Sequence, residues 1–275
     1  MECVACGSGA VTERPERTTQ RYRRFRCRDC RKEFNERSGG SLNHTHYPSD
    51  VIALVVLWRL RYRLTLRNLA EMFLVCGITF SHEAVHAWEA KLAPALADEL
   101  LQRRRGKCGA GRRHWHVDET YLNVRGRWAY FYRAIDRDGT LVDTMLSEHR
   151  DMAAAKAFFR SAKAATGVLP ERVTTDGHGS YPRAIRTVLG RRVLHRTSAY
   201  ENNRLEQDHR GVKERTRCIR GFKSFASAEH FCRSHDELRD LLRPRARHNQ
   251  HIPANRRRLL HLRRAGRALA MLEAA

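Results

Sequence analysis

Trp115-His116-Val117-Asp118-Glu119-Thr120-Tyr121 reads as a β-strand that carries acids into an apolar and aromatic run. With a period of two, His116, Asp118 and Thr120 share one face of that strand, while Glu119 looks to the other. Residues 127–135 and 140–146 read as two further strands. They are joined across Asp136-Arg137-Asp138-Gly139, a hairpin turn in which Asp138 is expected to shape the bend. A helix follows from Asp151 to about residue 166, buried by Ala155, Phe158 and Phe159. Val173-Thr174-Thr175 is a short strand that delivers Asp176 at its C-terminal end, ahead of Gly177 and Gly179. A helix over residues 181–189, a strand over 191–195 and a helix from about Asn203 complete the order.

Three strands, a helix, then alternating strands and helices is the layout of an α/β domain of the ribonuclease-H-like kind. On this layout Asp118 comes from the first strand, Asp176 follows the fourth and Glu206 lies on the last helix. Side chains at such strand ends face ligands in open α/β sheets. Carboxylates suit Mg2+, a hard ion that prefers oxygen, and three of them can hold two ions for phosphoryl transfer. At 100° per residue, Arg210 and Lys213 lie within about 40° of Glu206, placed to grip a DNA backbone, whereas Asp208 is rotated by about 200°. Glu201 is expected before the helix, with Asn202 or Asn203 as its cap, and Glu214 falls about 80° off the face. Each acid alone is weak evidence, since most Asp and Glu are solvated. Order and placement together carry the assignment.

Working outward toward the amino terminus, residues 103–113 form a basic linker and residues 47–102 a helical segment. Ser49 is expected to cap a first helix that runs to about Arg61 and is apolar around much of its circumference. Thr65 opens a second helix with Leu66, Leu69, Ala70 and Phe73 along one face. Past a turn at Gly77, Ser81 caps a third, on which Val85, Trp88 and Leu92 face inward. Helix, glycine-containing turn, helix is the helix-turn-helix pattern, whose second member enters a major groove. The same pattern also describes a plain helical hairpin. Ser81, His82 and His86 are the candidate DNA contacts at the start of the third helix, although Glu83 and Glu89 would put negative charge on it.

Residues 1–43 contain Cys3-Val4-Ala5-Cys6 and Cys27-Arg28-Asp29-Cys30, two CxxC pairs twenty residues apart. Zn2+ takes four thiolates in a tetrahedron, and two such turns supply them, with a hairpin in residues 22–27 making a zinc ribbon. A segment this short and polar does not hold a fold without a metal. Arg21, Arg23, Arg24, Arg26 and Arg28 offer phosphate contacts, Arg24 and Arg26 foremost. Cys76, Cys108, Cys218 and Cys232 are scattered and read as inert. At the other end, residues 244–275 follow the α/β domain (residues 114–243) as a basic tail, with nine arginines between Arg243 and Arg267.

The 275 residues hold 53 Lys and Arg against 30 Asp and Glu, a formal net charge of +23. Such self-repulsion is uncommon in a freely diffusing enzyme and is expected of a protein working against phosphate backbones. The longest apolar stretch, residues 51–58, is too short to span a bilayer, and no signal peptide is expected. A cytoplasmic protein with reduced cysteines follows, with double-stranded DNA as partner and no membrane.

The 115–121 stretch followed by Ala134-Ile135-Asp136-Arg137-Asp138-Gly139 closely resembles the DDE insertion-sequence transposases that move by cointegrate formation, the insertion sequence six family. The resemblance continues through Thr174-Thr175-Asp176-Gly177, Ser180-Tyr181-Pro182 and residues 202–210 (NNRLEQDHR), and closes with Gly221-Phe222-Lys223-Ser224-Phe225. It implies Mg2+ dependence, Asp118, Asp176 and Glu206 as the three acids, and Lys213 as the basic residue that follows the glutamate. It further implies binding to terminal inverted repeats and action as a homodimer or larger assembly. A regulator that keeps the DNA-binding modules but has lost chemistry, or another ribonuclease-H-like nuclease such as a junction resolvase, are the alternative readings. All three acids are present, which argues against the first; the two amino-terminal modules argue against the second.

Overall fold

The structure, a computed structural model, describes residues 1–106, 113–198, 203–219, 221–243 and 252–275. The amino-terminal segment is a three-stranded antiparallel sheet of β1 (Val11–Arg17), β2 (Arg23–Cys27) and β3 (Glu33–Asn35). The expected hairpin inside residues 22–27 is thus a single strand, β2, paired on both sides. Its own small core is Phe25, Phe34, Cys3 and Cys27, which is all that so polar a segment can bury.

Three helices follow: α1 (Ser49–Arg61), α2 (Leu66–Val75) and α3 (His82–Arg104). Ser49 does not cap α1; Pro48 takes the cap position, and the backbone N–H of Ser49 donates to Tyr22 Oη at 2.7 Å, tying the ribbon to the helix. Thr65 and Asn68 form a reciprocal capping box on α2, and Ser81 Oγ accepts from Ala84 N to cap α3. Gly77, at φ 78°, makes the turn between α2 and α3, where a side chain would be strained.

The α/β unit is a five-stranded sheet in the order β6-β5-β4-β7-β8. Its strands are β4 (His114–Val124), β5 (Arg127–Asp136), β6 (Leu141–Ser147), β7 (Arg172–Thr175) and β8 (Leu194–Thr197). The first three run antiparallel, and β7 and β8 join β4 in parallel. This mixed sheet is ribonuclease-H-like. Asp138 lies in the turn between β5 and β6, as expected, and Asp136 closes that turn, its Oδ1 accepting from the backbone N–H of Asp138 and Thr140. β8 lies a few residues later than expected, after a turn at residues 190–193.

Alternation along β4 sends Trp115 and Val117 to one face, where α4 (Met152–Thr166) and α5 (Tyr181–Val188) bury them with Tyr132, Phe158 and Phe159. Leu122 and Val124 go to the other, into a second and larger core. That core is shared among α1, α2, α3, α7 (Phe225–Leu242) and α8 (Ala254–Ala274). The helical segment therefore lacks a hydrophobic centre of its own. Buried polar links confirm the joint: Ser234 Oγ donates to Ala93 O at 2.7 Å, and Arg104 holds Glu237 and donates to Val142 O. From Ala254 to Ala274 the expected basic tail is α8, with Ala268, Met271 and Leu272 turned into the same core. α6 (Asn203–Ile219) lies across β4 and β5. Among the described residues, no helix is long and apolar enough to cross a membrane.

Candidate active site

β4 and β7 bring the first two acids together through their register. Thr174 pairs with His116, so two residues further on Asp118 and Asp176 stand level at the edge where β7 ends. The chain leaves that edge through Gly177, at φ 93°, where a Cβ would meet Thr197 Cγ2 at 2.5 Å; only glycine fits. Asp176 Oδ1 accepts from His178 N at 3.0 Å, which fixes the carboxylate at the strand end.

One carboxylate oxygen each from Asp118, Glu119 and Asp176 lies within 4.8 Å of the others. Glu119 was expected to look away. Its strand face is indeed the opposite one, but β7 ends beside it, and there its side chain still reaches the group. It is held there by Tyr181, whose hydroxyl donates to it, and by Arg150. Arg150 Nη2 also donates to Asp176 Oδ2 at 3.4 Å, so one guanidinium bridges two of the acids. Burial first, then the charges of Glu119, Asp176 and Glu206, pushes the Asp118 carboxyl up to about 7. A carboxyl raised in this way is what a hard divalent cation relieves, and the donor set fits such an ion.

Glu206, in the first turn of α6, is exposed and stands outside that close group, although its charge is felt at Asp118. Arg210 and Lys213 are exposed on the same helix. Asp208 is buried, with Arg133 at 3.4 Å, Arg243 at 3.6 Å and Arg239 beside it, so it secures α6 to the sheet and α7. Glu214 pairs with Arg63. Glu201 and Asn202 lie outside the described residues, as do Cys108 and the linker residues 107–112. His209 Nδ1 sits 3.9 Å from Asp118 Oδ2. Burial first, then Arg133, Lys213 and Arg239, pushes this imidazole down to about 3, so it is neutral beside the acid.

Glu119, Arg150, Tyr181 and His209 are the site residues that pattern reading missed. Adjacency to Asp118 was a signal for Glu119, and the Ser180-Tyr181-Pro182 and NNRLEQDHR stretches contain Tyr181 and His209. Nothing local distinguishes Arg150 from the other arginines.

In the ribbon, Cys3, Cys6, Cys27 and Cys30 bring their sulfurs within 4.8 Å of one another. Cys3 and Cys30 are 3.5 Å apart, and Cys6 and Cys27 3.6 Å. A tetrahedral ion with Zn–S bonds of about 2.3 Å needs sulfurs roughly 3.8 Å apart, so the set fits a tetrathiolate site. The Ala5 N–H first, opposed by burial and aided by Cys6 N–H, holds the Cys3 thiol down to about 6. Arg24 is engaged by Glu33 at 2.7 Å and Glu16 at 3.5 Å, weak exposed pairs, while Arg26 is exposed. Cys76 is exposed and Cys232 buried.

Around α3, Glu89 is turned inward to Arg59 at 2.8 Å, so it does not burden the outer face as expected. Glu83 sits 3.0 Å from His82 Nε2, and His86 is exposed. The Ser81 hydroxyl is engaged in its cap.

A family described as a DDE domain matches residues 112–245 of this chain. The transposase for insertion sequence-like element IS431mec of Staphylococcus aureus is 35% identical over 176 residues, 62% of this chain and 76% of that protein. The transposase for insertion sequence element IS257 in transposon Tn4003, also from Staphylococcus aureus, matches over the same lengths at 35%. Among solved structures, a simian T-cell lymphotropic virus intasome in complex with a PP2A regulatory subunit superposes at a TM-score of 0.37 with 12% identity, over 58% of each chain. That superposition is too loose to build on.

Proposed function

This chain belongs to the DDE insertion-sequence transposases, which are polynucleotidyl transferases, and we propose that it binds the terminal inverted repeats of its element and joins them to target DNA by cointegrate formation. Asp118, Asp176 and Glu206 are the proposed ligands of two Mg2+ ions. The observation that carries this reading is the convergence of Asp118, Glu119 and Asp176, with Asp118 pushed up to about 7. When bound, the ions supply Lewis acidity to the scissile phosphate and lower the cost of deprotonating a water or 3′-hydroxyl. In the joining step a bond forms between the 3′-oxygen of the element end and a target phosphorus. The bond from that phosphorus to its own 3′-oxygen breaks, and the displaced strand leaves as an alkoxide that takes up a proton.

The chain's own groups hold this arrangement still. Arg150 and Tyr181 fix Glu119, and Arg150 also steadies Asp176, so neither carboxylate pays a reorganisation cost when the phosphate arrives. Neutral His209 supports Asp118 without competing as a cation. Arg210 and Lys213 face the DNA backbone from α6. Arg24 and Arg26 of the ribbon, with Zn2+ in its four thiolates, and Ser81, His82 and His86 at the start of α3 are the proposed contacts to the element ends. The protein acts as a homodimer or larger assembly, in the cytoplasm, where both DNA ends are held at once.

The test is joining of a precut element end to plasmid DNA by the purified full-length chain with Mg2+. Asp118→Asn and Asp176→Asn are each expected to lower joining by at least about a hundredfold while end binding stays within a few-fold of wild type. Retained joining by either variant refutes the assignment of the acids.

A further inference from the structure

On the β4–β5 face that carries Glu119, three aromatic side chains continue past the end of the α4–α5 cover. Tyr121 pairs across the strands with Tyr130, and Trp128 lies one step along, opposite Asn123. Tyr121 meets Tyr130 at 5.4 Å and Trp128 at 6.3 Å between ring centroids, both edge to face. Trp128 is 64% exposed and Tyr121 44%, whereas Trp115 and Tyr132, further along the same face, are buried. Large aromatic groups left in water beside a packed core mark an interaction surface.

Charge and position say what it fits. From residue 120 to residue 135 the chain has no acid, and Arg125 and Arg127 fall within that span; Arg133, on the other face, is buried against Asp208 and Asp236. Arg125 and Arg127 are exposed at the β4–β5 turn. Arg150 joins the patch to the acids: its Nη1 donates to Tyr121 Oη at 3.3 Å while its Nη2 reaches Asp176 at 3.4 Å. Tyr121 is three strand residues from Asp118, about 10 Å along β4, which is the length of about three stacked nucleotides of one DNA strand.

We propose that Tyr121, Trp128 and Tyr130 form a stacking platform for an unpaired nucleobase of the DNA end, drawn from the duplex within three nucleotides of the reacting phosphate. A flat aromatic surface accepts any base by its π-face, and arginines beside it hold the flanking phosphates. Taking a base out of the stack costs unpairing energy, which the platform offsets, and it frees the phosphate next to that base to enter the acidic group. The proposal rests on the transposase reading above.

The test uses the full-length chain and a duplex end carrying 5-iodouracil at each of the three terminal positions of either strand. Irradiation of the bound complex is expected to cross-link at least one position to the peptide containing Tyr121 or the one containing Trp128 and Tyr130. Trp128→Ala is expected to lose that cross-link and about tenfold in joining of a fully paired end, with Trp128→Phe retaining most of both. The loss is expected to shrink when the terminal pairs are mismatched beforehand, since the unpairing is then already done. Cross-links that all fall elsewhere, or a Trp128→Ala chain unchanged in cross-linking and joining, overturn the platform. So does sedimentation showing that Trp128→Ala splits a dimer, because the face then belongs to a second copy. Cross-linking needs no chemistry: a wild type that cross-links here but never joins DNA refutes the function and leaves the platform standing, and the reverse result does the opposite.

Discussion

Four thiols in the ribbon and three carboxylates at the sheet edge are both dense enough to hold a cation, yet they are assembled over different distances in the chain. Each thiol pair comes from one turn of backbone, and β2 and the β1–β2 pairing bring the two turns together within 30 residues. The carboxylates come from β4 and the end of β7, more than 50 residues apart, and are positioned by Arg150 from the β6–α4 connection and Tyr181 from α5. A cluster this local is expected to depend on a metal for its fold. A cluster built on a sheet inherits a fold that exists without the metal.

The strongest way to break this contrast is to remove each metal in turn. Stripping Zn2+ with a chelator, or the Cys27→Ser Cys30→Ser double substitution, is expected to unfold the ribbon, since binding free energies of structural zinc are on the order of 10 kcal/mol. Metal analysis should give close to one zinc per wild-type chain and none in the variant. Removing Mg2+ should leave the circular dichroism spectrum unchanged. A ribbon that keeps its structure without zinc would erase the difference.

A smaller effect separates the two acids on α6. Glu206 is exposed, so Glu206→Gln is expected to abolish joining with the melting temperature within a degree or two of wild type. Asp208 is buried against three arginines, and removing its charge takes a partner from each and leaves Arg133 with Asp236 alone, so Asp208→Asn is expected to cost about 3 kcal/mol of stability while keeping a measurable fraction of joining. Thermal melting and the joining assay on both variants decide it. The opposite pairing of results would move the third ligand to Asp208.

The smallest effect is a dependence on pH. A carboxyl raised from 3.8 to about 7 in the fold carries no penalty below about 3.8, and the penalty grows as pH rises through that interval to its full size above 7. Divalent cation relieves it, so the rise in melting temperature on adding Mg2+ should be larger at pH 8 than at pH 5. Asp236, also raised to about 6, and His235, lowered to about 3, shift the baseline without touching the cation group. The Mg2+-dependent difference should vanish in Asp118→Asn; a difference that persists there assigns the ion to other groups.

Much of the ribbon was legible because its four cysteines stand in two CxxC pairs, a local spacing, and the fold brings their sulfurs together. The strand order of the α/β unit was legible for a related reason: period-two alternation, hairpin turn residues and capping side chains are all local. Boundaries slipped where a longer-range partner took over. Ser49 bonds Tyr22 of the ribbon instead of capping α1, and β8 starts only where its pairing with β7 begins.

By itself the sequence determined the four cysteines, the order of strands and helices, Asp118 on the first strand of the α/β unit and Asp176 just past the end of the fourth, since each follows from side-chain type and short-range geometry. Only the tertiary structure decided which charges face the site and which are structural. Glu119 reaches the acidic group from the opposite strand face because β7, the neighbour of β4, ends at that level. Glu89 is spent on Arg59, and Asp208 is buried among arginines. Only the fold, too, closed the helical segment, α7 and α8 into one core with the sheet. Charge and periodicity read alike on a solvated face and in a buried pair. What tells them apart is the partner, and burial of apolar surface brings that partner from as far along the chain as Glu237 is from Arg104, 133 residues.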